Sequence, residues 1–342
     1  MNGFDCKLRR VRVLIVLAAA ILIVPVLIVA VRRERLQQPG SAVTSQSSAP
    51  LQKQVASGVS GAKIAFVRGG WIHLKDLSSQ KETKLVQGIN PGLAPSGESL
   101  LYLSITENDG IAALLVPPAG RLRLLSLRTG ESRVFDSLRE TIVGGAVWSE
   151  DGKLALTILE KDHKQPAIAF FNPGTGNVEK KITTGWDPLT FAEGIYLDSW
   201  VPGTQSVLFH TLTALYEANF DSGLVQKLPV HELFLKGEVS SATRFSLSAD
   251  QRHLLFDRVI DTAEEPQAGI ISFYDFTTKT LQRVTPKNVQ ARSPVWANNE
   301  VLFTKVDYAG DHMMFSLCKI SVDGTGLTTV VKNADHGTYA AR

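Results

Sequence analysis

Cysteine is scarce in this chain, whose 342 residues contain only two, Cys6 and Cys318. A long apolar run separates them, so they are not expected to pair, and no disulfide framework is predicted. Cys318 alternates with apolar neighbours in FSLCKISV, as a small core residue does. The fold is therefore expected to rest on a packed core rather than on covalent links.

Motifs of common catalytic sites are also missing. The sequence contains no G-x-S-x-G, no H-E-x-x-H, no P-loop and no C-x-x-C. His163 and His312 each follow an aspartate, and with Asp187 or Asp261 they could form a metal or acid–base site. Short His–Asp neighbours are usually coincidental, however. We therefore predict no catalytic residue, no metal site and no cofactor.

A basic surface is missing from the main part of the chain. Residues 1–60 hold eight basic and two acidic side chains, a net charge of +6. Since the whole chain carries +3, residues 61–342 carry −3. Binding to nucleic acid normally requires a basic footprint, so no nucleic-acid partner is predicted.

One long apolar run is present near the N-terminus. Residues 13–31, VLIVLAAAILIVPVLIVAV, are 19 residues without a charge, which is long enough to cross a bilayer as a helix. The run ends in VRRER, a poor cleavage site, so a retained signal anchor is favoured over a cleaved signal peptide. Residues 1–12 then form a short cytoplasmic basic segment. The rest is expected to lie beyond the inner membrane, in the periplasm or outside the cell.

A repeat occupies the remainder of the chain. Residues 32–60 are rich in Ser, Gln, Gly, Pro and Ala, which predicts a flexible linker. From residue 61 onward, a turn followed by an apolar strand recurs at intervals of 47 to 55 residues, and a hairpin follows each copy. The copies begin at Leu93, Trp148, Trp200, Leu247 and Trp296. Such units bury their faces by packing around an axis, so residues 61–342 are predicted to form an all-β propeller.

The number of hairpins predicts six blades, because the opening stretch supplies a sixth hairpin at residues 71–86. Gly130, Gly176 and Gly223 fall at equivalent turn positions, where a hairpin needs positive φ. The three recurring tryptophans are expected to pack between blades.

The first blade starts in the middle of its repeat. Lys63–Arg68 aligns with a second strand, residues 71–77 with a third, and Glu82–Gln87 with a fourth. The C-terminus, around residues 336–342, is the candidate for the missing first strand and is expected to pair beside residues 64–67. Such closure would remove two open sheet edges.

One copy carries a family resemblance. WSEDGKLAL at residues 148–156 resembles the WD40-like repeat of TolB-type propellers, whose consensus is close to W-S-P-D-G-K-x-I-A-F. The other copies are degenerate, and related repeats occur in the non-catalytic propellers of prolyl-oligopeptidase-type peptidases. The resemblance implies the propeller alone: the α/β domain that precedes it in TolB has no counterpart here, and a fold does not define a function.

Antiparallel strands divide the connections between two faces. With strands numbered outward from the axis, connections 1→2 and 3→4 share one face, and connections 2→3 and 4→1 share the other. The first set is tight in sequence, and we name that side the tight-turn face. The second set is predicted to be long, includes residues 258–269 and 306–313, and defines the long-loop face. Long loops on a rigid scaffold commonly carry binding sites.

The candidate binding residues lie on the long-loop face. Aromatic side chains there are typical interface anchors, although Phe191 and Phe234 could equally fold back over the blades. These connections also hold fourteen acidic and seven basic residues, which suggests either a basic partner or a merely soluble surface. The candidates are Trp186, Asp187, Phe191, Phe234, Asp261, Tyr308, Asp311, His312 and His163.

The predicted function is a non-catalytic protein-binding or scaffolding module of the cell envelope, anchored in the membrane and acting as a monomeric propeller. Two alternatives remain open. One is a hydrolase or lyase with an active site on the axis. The other is a propeller that senses a small ligand at the long-loop face.

Overall fold

The computed structural model describes residues 62–104, 121–138, 141–160, 166–187, 194–234, 237–240, 242–265, 268–297, 299–309 and 312–340. The predicted segments 1–12, 13–31 and 32–60 lie outside the described residues, as do the candidate residues Phe191, Asp311 and His163. Within the described ranges, no helix has the length and apolar character needed to span a membrane.

Six antiparallel sheets of four strands make up the described structure, and each sheet is one blade. In blades 1 to 3 the strands are β1 Lys63–Arg68, β2 Trp71–Asp76, β3 Glu82–Gln87, β4 Ile89–Leu93, β5 Ser99–Ser104, β6 Arg121–Ser126, β7 Ser132–Val134, β8 Thr141–Trp148, β9 Leu154–Glu160, β10 Ala167–Asn172 and β11 Asn177–Ile182. The innermost strand is β4 in blade 2, β8 in blade 3 and, in blade 1, the C-terminal strand β24 (Asp335–Ala340). The all-β, six-bladed prediction is confirmed.

The remaining strands complete blades 4 to 6 and return to blade 1. They are β12 Tyr196–Trp200, β13 Ser206–His210, β14 Leu215–Asn219, β15 Val225–Lys227, β16 Phe245–Leu247, β17 His253–Ile260, β18 Ala268–Asp275, β19 Thr280–Arg283, β20 Gln290–Ala297, β21 Glu300–Ala309, β22 His312–Ser321, β23 Thr328–Lys332 and β24 Asp335–Ala340. Two single 3-10 turns, Asp136–Leu138 and His231–Leu233, lie between blades.

The ring closes as the phase of the repeat predicts. The sheet order of blade 1 is β24-β1-β2-β3, so one C-terminal strand joins three N-terminal ones. Ile64 lies opposite Tyr339 and Ala65 opposite Thr338. The predicted third strand, residues 71–77, ends one residue early at Asp76, because its Oδ1 accepts the backbone N–H groups of the turn.

Apolar side chains fill the space between neighbouring blades. Phe170 of blade 3 packs with Phe209 of blade 4, and Phe66 of blade 1 packs with Leu317 of blade 6. The inner strands β4, β12 and β20 each carry a bulge at an equivalent position, and β8 carries one nearer its start. A bulge bends its strand and frees backbone groups of the ladder, so polar side chains can reach them.

Two of the recurring tryptophans bind the preceding blade as expected. The indole N–H of Trp148 donates to the carbonyl of Gly92 at 2.9 Å, and that of Trp296 donates to the carbonyl of Ser246 at 3.1 Å. Trp200 differs, because its N–H donates within its own turn to Thr204 at 2.9 Å. It still meets blade 3 through a ring contact with Phe170 at 5.9 Å.

The 3→4 turns of blades 1 to 5 share one backbone geometry. Gly130, Gly176 and Gly223 have φ of 76°, 78° and 75°, which confirms the predicted positive values. Gln80 and Lys279 occupy the same position in blades 1 and 5 with φ of 58° and 55°. The turn geometry is therefore kept even where the sequence departs from glycine.

Several connections of the long-loop face are shorter than predicted. The segment 306–313 is mostly strand, since β21 and β22 continue their pairing up to Ala309 and His312. The segment 258–269 is likewise shortened by β17 and β18, which pair as far as Ile260 and Ala268. These two hairpins are longer because apolar side chains remain paired across the ladder beyond the point at which the strands of other blades end.

Candidate functional site

Trp186 and Asp187 belong to the packing between blades 3 and 4. The Trp186 ring meets Phe209 edge-on, with centroids 5.5 Å apart. The Asp187 carboxylate lies 2.7 Å from Nζ of Lys227, and the hydrogen bond from that ammonium holds the pKa of Asp187 below its ordinary value. The backbone N–H of Asp187 also donates to the Tyr216 hydroxyl at 3.0 Å.

Phe234 follows the second of its two predicted arrangements. Its ring stacks on Phe245 at 5.9 Å between centroids and packs against the core between blades 4 and 5. It is therefore not an exposed anchor. The prediction could not decide between these arrangements because β16, which carries Phe245, begins eleven residues later in the chain.

Tyr308 and His312 share the β21–β22 hairpin. Tyr308 is 59% exposed, and its hydroxyl lies 3.4 Å from the side-chain oxygen of Gln290. His312 is exposed and lies opposite Ala309 at the end of the hairpin. Asp261, also exposed, follows the neighbouring strand β17. Together with Asp187, these three are the predicted residues that the described structure leaves exposed.

Most described acids of the long-loop face are paired within the chain. Glu265 binds Arg283, Glu264 binds Lys287, Glu238 binds Arg258, and Asp307 binds Lys305 at 2.7 Å, in addition to the Asp187 pair. Arginine lowers the pKa of Glu265 to about 2. Four of these cations lie on strands, and three of them, Arg283, Lys305 and Lys227, fall outside the count of loop residues. Among the described residues the acidic excess is therefore largely neutralised and gives little support to a basic partner.

Exposed apolar side chains lie on the two long hairpins. Tyr308 pairs across the ladder with Met313, which is also 59% exposed. Met314 and Val259 are exposed by 44% and 41%. We name Tyr308, Met313, Met314 and Val259 the hairpin patch. Sequence reasoning missed Met313 and Met314 because it placed them in or beside a loop. Their alternation with Phe315 and Leu317 is the signal that could have revealed a longer strand.

Buried polar side chains recur beside the inner strands, near the long-loop end of the second strand of four blades. The pairing registers make Thr157, His210, Asp257 and Thr304 equivalent. Each of these residues is buried. In the described part of the chain, no group of His, Cys, Asp or Glu side chains is arranged to hold a metal ion.

Asp257 is the most perturbed acid of this set. Burial raises its pKa to about 6, against the hydrogen bonds that favour its charged form. Its Oδ1 accepts the backbone N–H of Arg244 at 2.8 Å, and the backbone N–H of Ser293 in the next blade also donates to the carboxylate. Asp257 therefore ties two neighbouring inner strands together.

The described fold is a six-bladed, TolB-like β-propeller closed by strands from both ends of the propeller sequence. No protein-family model matches the chain, and no curated protein matches its sequence. TolB from Acinetobacter baumannii superposes with a TM-score of 0.58 at 17% identity, over 82% of this chain and 67% of that one.

Two further solved structures are similar. A TolB from Agrobacterium tumefaciens, described as putative, gives a TM-score of 0.53 at 18% identity, over 80% of this chain and 89% of its own. A chain from a nidogen–laminin complex gives 0.53 at 11% identity, over 82% and 98%. Identities this low show the shared fold and leave function to the site.

Proposed function

We propose that this chain is a membrane-anchored propeller outside the cytoplasm that binds a partner protein through its long-loop face as a non-catalytic scaffold. The observation that carries the proposal is the hairpin patch. Its residues are exposed, although Tyr and Met are enriched in protein interfaces and apolar side chains of this size are usually buried in monomers. A rigid propeller presents them without an ordering cost on binding.

A protein fits the hairpin patch better than a small ligand does. The patch lies on protruding hairpins, whereas small ligands are usually bound in concave sites. A described depression of about 380 Å³ lies elsewhere, between blades 2 and 3 on the tight-turn face, where Arg133, Trp148 and Asp151 line it. The TolB-like fold and the neighbour in a nidogen–laminin complex are compatible with a binding role.

Anchoring in the inner membrane is part of the same proposal. Its support is the uncharged run of residues 13–31 with basic residues before it. A tagged chain should stay in the membrane fraction after alkaline carbonate extraction, and protease added outside the inner membrane should degrade the propeller. Release of the full chain by carbonate, or protection of the propeller from protease, would contradict the proposal.

Proximity labelling in cells tests the binding role. A promiscuous biotin ligase fused to the wild-type chain should label a reproducible set of envelope proteins. The double variant Tyr308→Ser/Met313→Ser should lose the partner from that set. The control Leu224→Ser removes another exposed apolar side chain, 72% exposed on the tight-turn face, and should leave labelling unchanged. Equal labelling by both variants would overturn the proposed function.

The enzymatic alternative draws on one observation, the buried Asp257 with its raised pKa. A perturbed carboxyl is a candidate for acid–base chemistry. Its carboxylate, however, is already engaged by backbone N–H groups of two blades. This arrangement supports a role in joining blades, and binding remains the better supported function.

A further inference from the structure

We propose that the seam between blades 6 and 1, on the long-loop face, binds an acidic segment of the partner that carries apolar side chains. This inference rests on the proposed function and assigns the partner's chemistry. Its basis is an exposed aromatic and methionine strip that lies beside an excess of cationic side chains.

The strip on blade 6 follows from strand alternation. Leu302 and Leu317 pack against blade 1. Tyr308, Met313 and Phe315 continue the same alternation along β21 and β22, so they face the same seam. Phe315 is half-buried, whereas Tyr308 and Met313 are exposed. Apolar surface therefore continues from the closed core out to the end of the hairpin.

Blade 1 leaves this surface uncovered because its own connections are short. Gly69 and Gly70, both with positive φ, form the whole 2→3 connection, and Gly88 alone joins its last strand to blade 2. On the long-loop face, the long hairpin of blade 6 therefore extends beyond the neighbouring blade 1. Trp71, 36% exposed, begins β2 directly after the two glycines.

Trp71 points toward the same seam. Ile64 and Phe66, two alternate residues of β1, pack against blade 6. Side chains paired across an antiparallel ladder lie on the same face, so the β2 residues paired with these alternate β1 positions also face blade 6. Trp71 is paired with Arg68 in this register. Aromatic side chains therefore face the seam both from the blade 6 hairpin and from blade 1.

The charge of the seam is positive. Two blade 1 cations with this orientation, Arg68 and Lys84, reach the long-loop end, against one carboxylate, Glu82. Lys75 shares the orientation but lies at the tight-turn end. Burial lowers the pKa of the remaining group, His73, which keeps it neutral at pH 7. This balance contrasts with the rest of the long-loop face, where described acids have cationic partners.

The cations are held against the aromatic rings or the blade 6 backbone. Nζ of Lys84 lies 3.6 Å from the centroid of Trp71, and Cζ of Arg292 lies 4.3 Å from that of Phe315. Arg68 donates to the carbonyls of Lys332 and Asn333 as well as to Glu82. A carboxylate of a partner could meet these charges while its apolar side chains contact the rings.

An acidic partner is favoured over the other occupants by this charge. A basic segment would meet repulsion from Arg68 and Lys84. A second copy of the chain would place one cationic seam against another if the contact were symmetric. An anionic vesicle shares the charge, but the aromatic strip stands on a rigid edge and lacks a broad flat surface.

Peptide selection against the full-length chain tests the inference. A displayed library of random linear peptides serves as the probe. We expect enriched sequences to carry net negative charge together with aromatic or aliphatic residues. Their affinity should fall about tenfold in Tyr308→Ser/Met313→Ser and about fivefold in Lys84→Glu. Enrichment of basic or uncharged sequences would overturn the proposal.

Matched controls separate this surface from general effects. Arg128→Glu makes the same charge change at an exposed turn on the tight-turn face, and Leu224→Ser removes an exposed apolar side chain there. Both should bind the selected peptides as the wild type does. Unchanged thermal melting of all four variants would show that the losses are local. Equal losses in seam and control variants would refute the assignment.

Two further measurements distinguish the rival occupants. Sedimentation of the full-length chain should show no dimer that Tyr308→Ser/Met313→Ser abolishes, and such a dimer would make a second copy the occupant. Flotation with vesicles containing phosphatidylglycerol should not depend on Lys84. If labelling in cells depends on Tyr308 and Met313 while acidic peptides do not bind, the proposed function stands and this inference fails.

Discussion

Nδ1 of His210 lies 2.9 Å from Oδ2 of Asp198, and neither side chain has any exposed surface. Nε2 of the same ring lies 3.2 Å from the carbonyl of Ser240. Both ring nitrogens thus lie beside hydrogen-bond acceptors. Asp198 also accepts the backbone N–H of Phe245 at 3.1 Å. A buried hydrogen-bonded pair therefore joins the inner strands of blades 4 and 5.

This pair is expected to be strongly coupled. Asp198→Gly and His210→Thr should each destabilise the protein by about 1–3 kcal/mol, because each leaves a buried polar group without its hydrogen-bond partner. The double variant should cost less than the sum of the two. Urea unfolding of all four proteins gives the coupling energy. Strict additivity would contradict the coupling of the two side chains.

Asp257 should make stability depend on pH. Its pKa is about 6 in the folded chain and 3.8 as the reference value, so the folded state binds this proton more tightly than the unfolded state. Its contribution to stability is therefore fully present below pH 4 and is lost as pH rises to 6, by about 3 kcal/mol. In Asp257→Asn this fall should disappear, as denaturant melts between pH 4 and 7 would show.

Asp76 supplies a control of opposite sign. Hydrogen bonds from Ser78 and Ser79 lower its pKa to about 2 from 3.8. Its contribution is therefore present above pH 4 and is lost as pH falls toward 2. Asp76→Asn should remove stability at neutral pH and leave the slope between pH 4 and 6 intact. The same slope in the wild type and in Asp257→Asn would show that Asp257 is not its source.

Closure of the ring should be necessary for stability. Deletion of residues 333–342 removes β24 and exposes the inner edge of β1, which is paired from Lys63 to Val67. We expect the melting temperature to fall by about 10 °C or more, since a few kcal/mol shift it by this amount. A deletion of equal length within the predicted linker, residues 41–50, is the control. An unchanged melting temperature of the C-terminal deletion would refute the closure.

Replacement of Lys279 by glycine should stabilise the protein. Its φ of 55° lies in the left-handed region, which costs energy for a residue with a Cβ atom. Glycine removes that cost in the folded state, but its greater freedom in the unfolded chain opposes part of the gain. The free energy of unfolding of Lys279→Gly should therefore rise by up to about 1 kcal/mol. Lys279→Ala keeps the Cβ and should gain nothing. A loss of stability in the glycine variant, measured by thermal melting, would contradict this reasoning.

The repeat could be read from sequence because its signals are local. The WSEDGKLAL copy and the turn glycines identified strand order and turn positions, and the phase of Lys63–Arg68 identified the strand missing from blade 1. Each signal depends on residues a few positions apart, through alternation of side chains and the φ that a turn requires. The fold was therefore accessible before any tertiary contact was known.

The candidate site was accessible only in part. Tyr308 was expected at the surface and is exposed, whereas Phe234 packs on the distant ring of Phe245. The neighbouring Met313 was missed because the extent of a hairpin depends on how far two strands continue to pair. The acids were counted without their partners, since Asp187 and Lys227 are 40 residues apart.

Sequence by itself determined the number of blades, the position of each hairpin and the closure of blade 1, because turn chemistry and strand alternation act between near neighbours. Tertiary structure alone decided which charges are neutralised and which apolar side chains remain exposed. Arg68, for example, reaches the carbonyl of Asn333 across 265 residues. Such contacts follow from ring closure and burial, and these also leave the seam of blades 6 and 1 cationic and apolar.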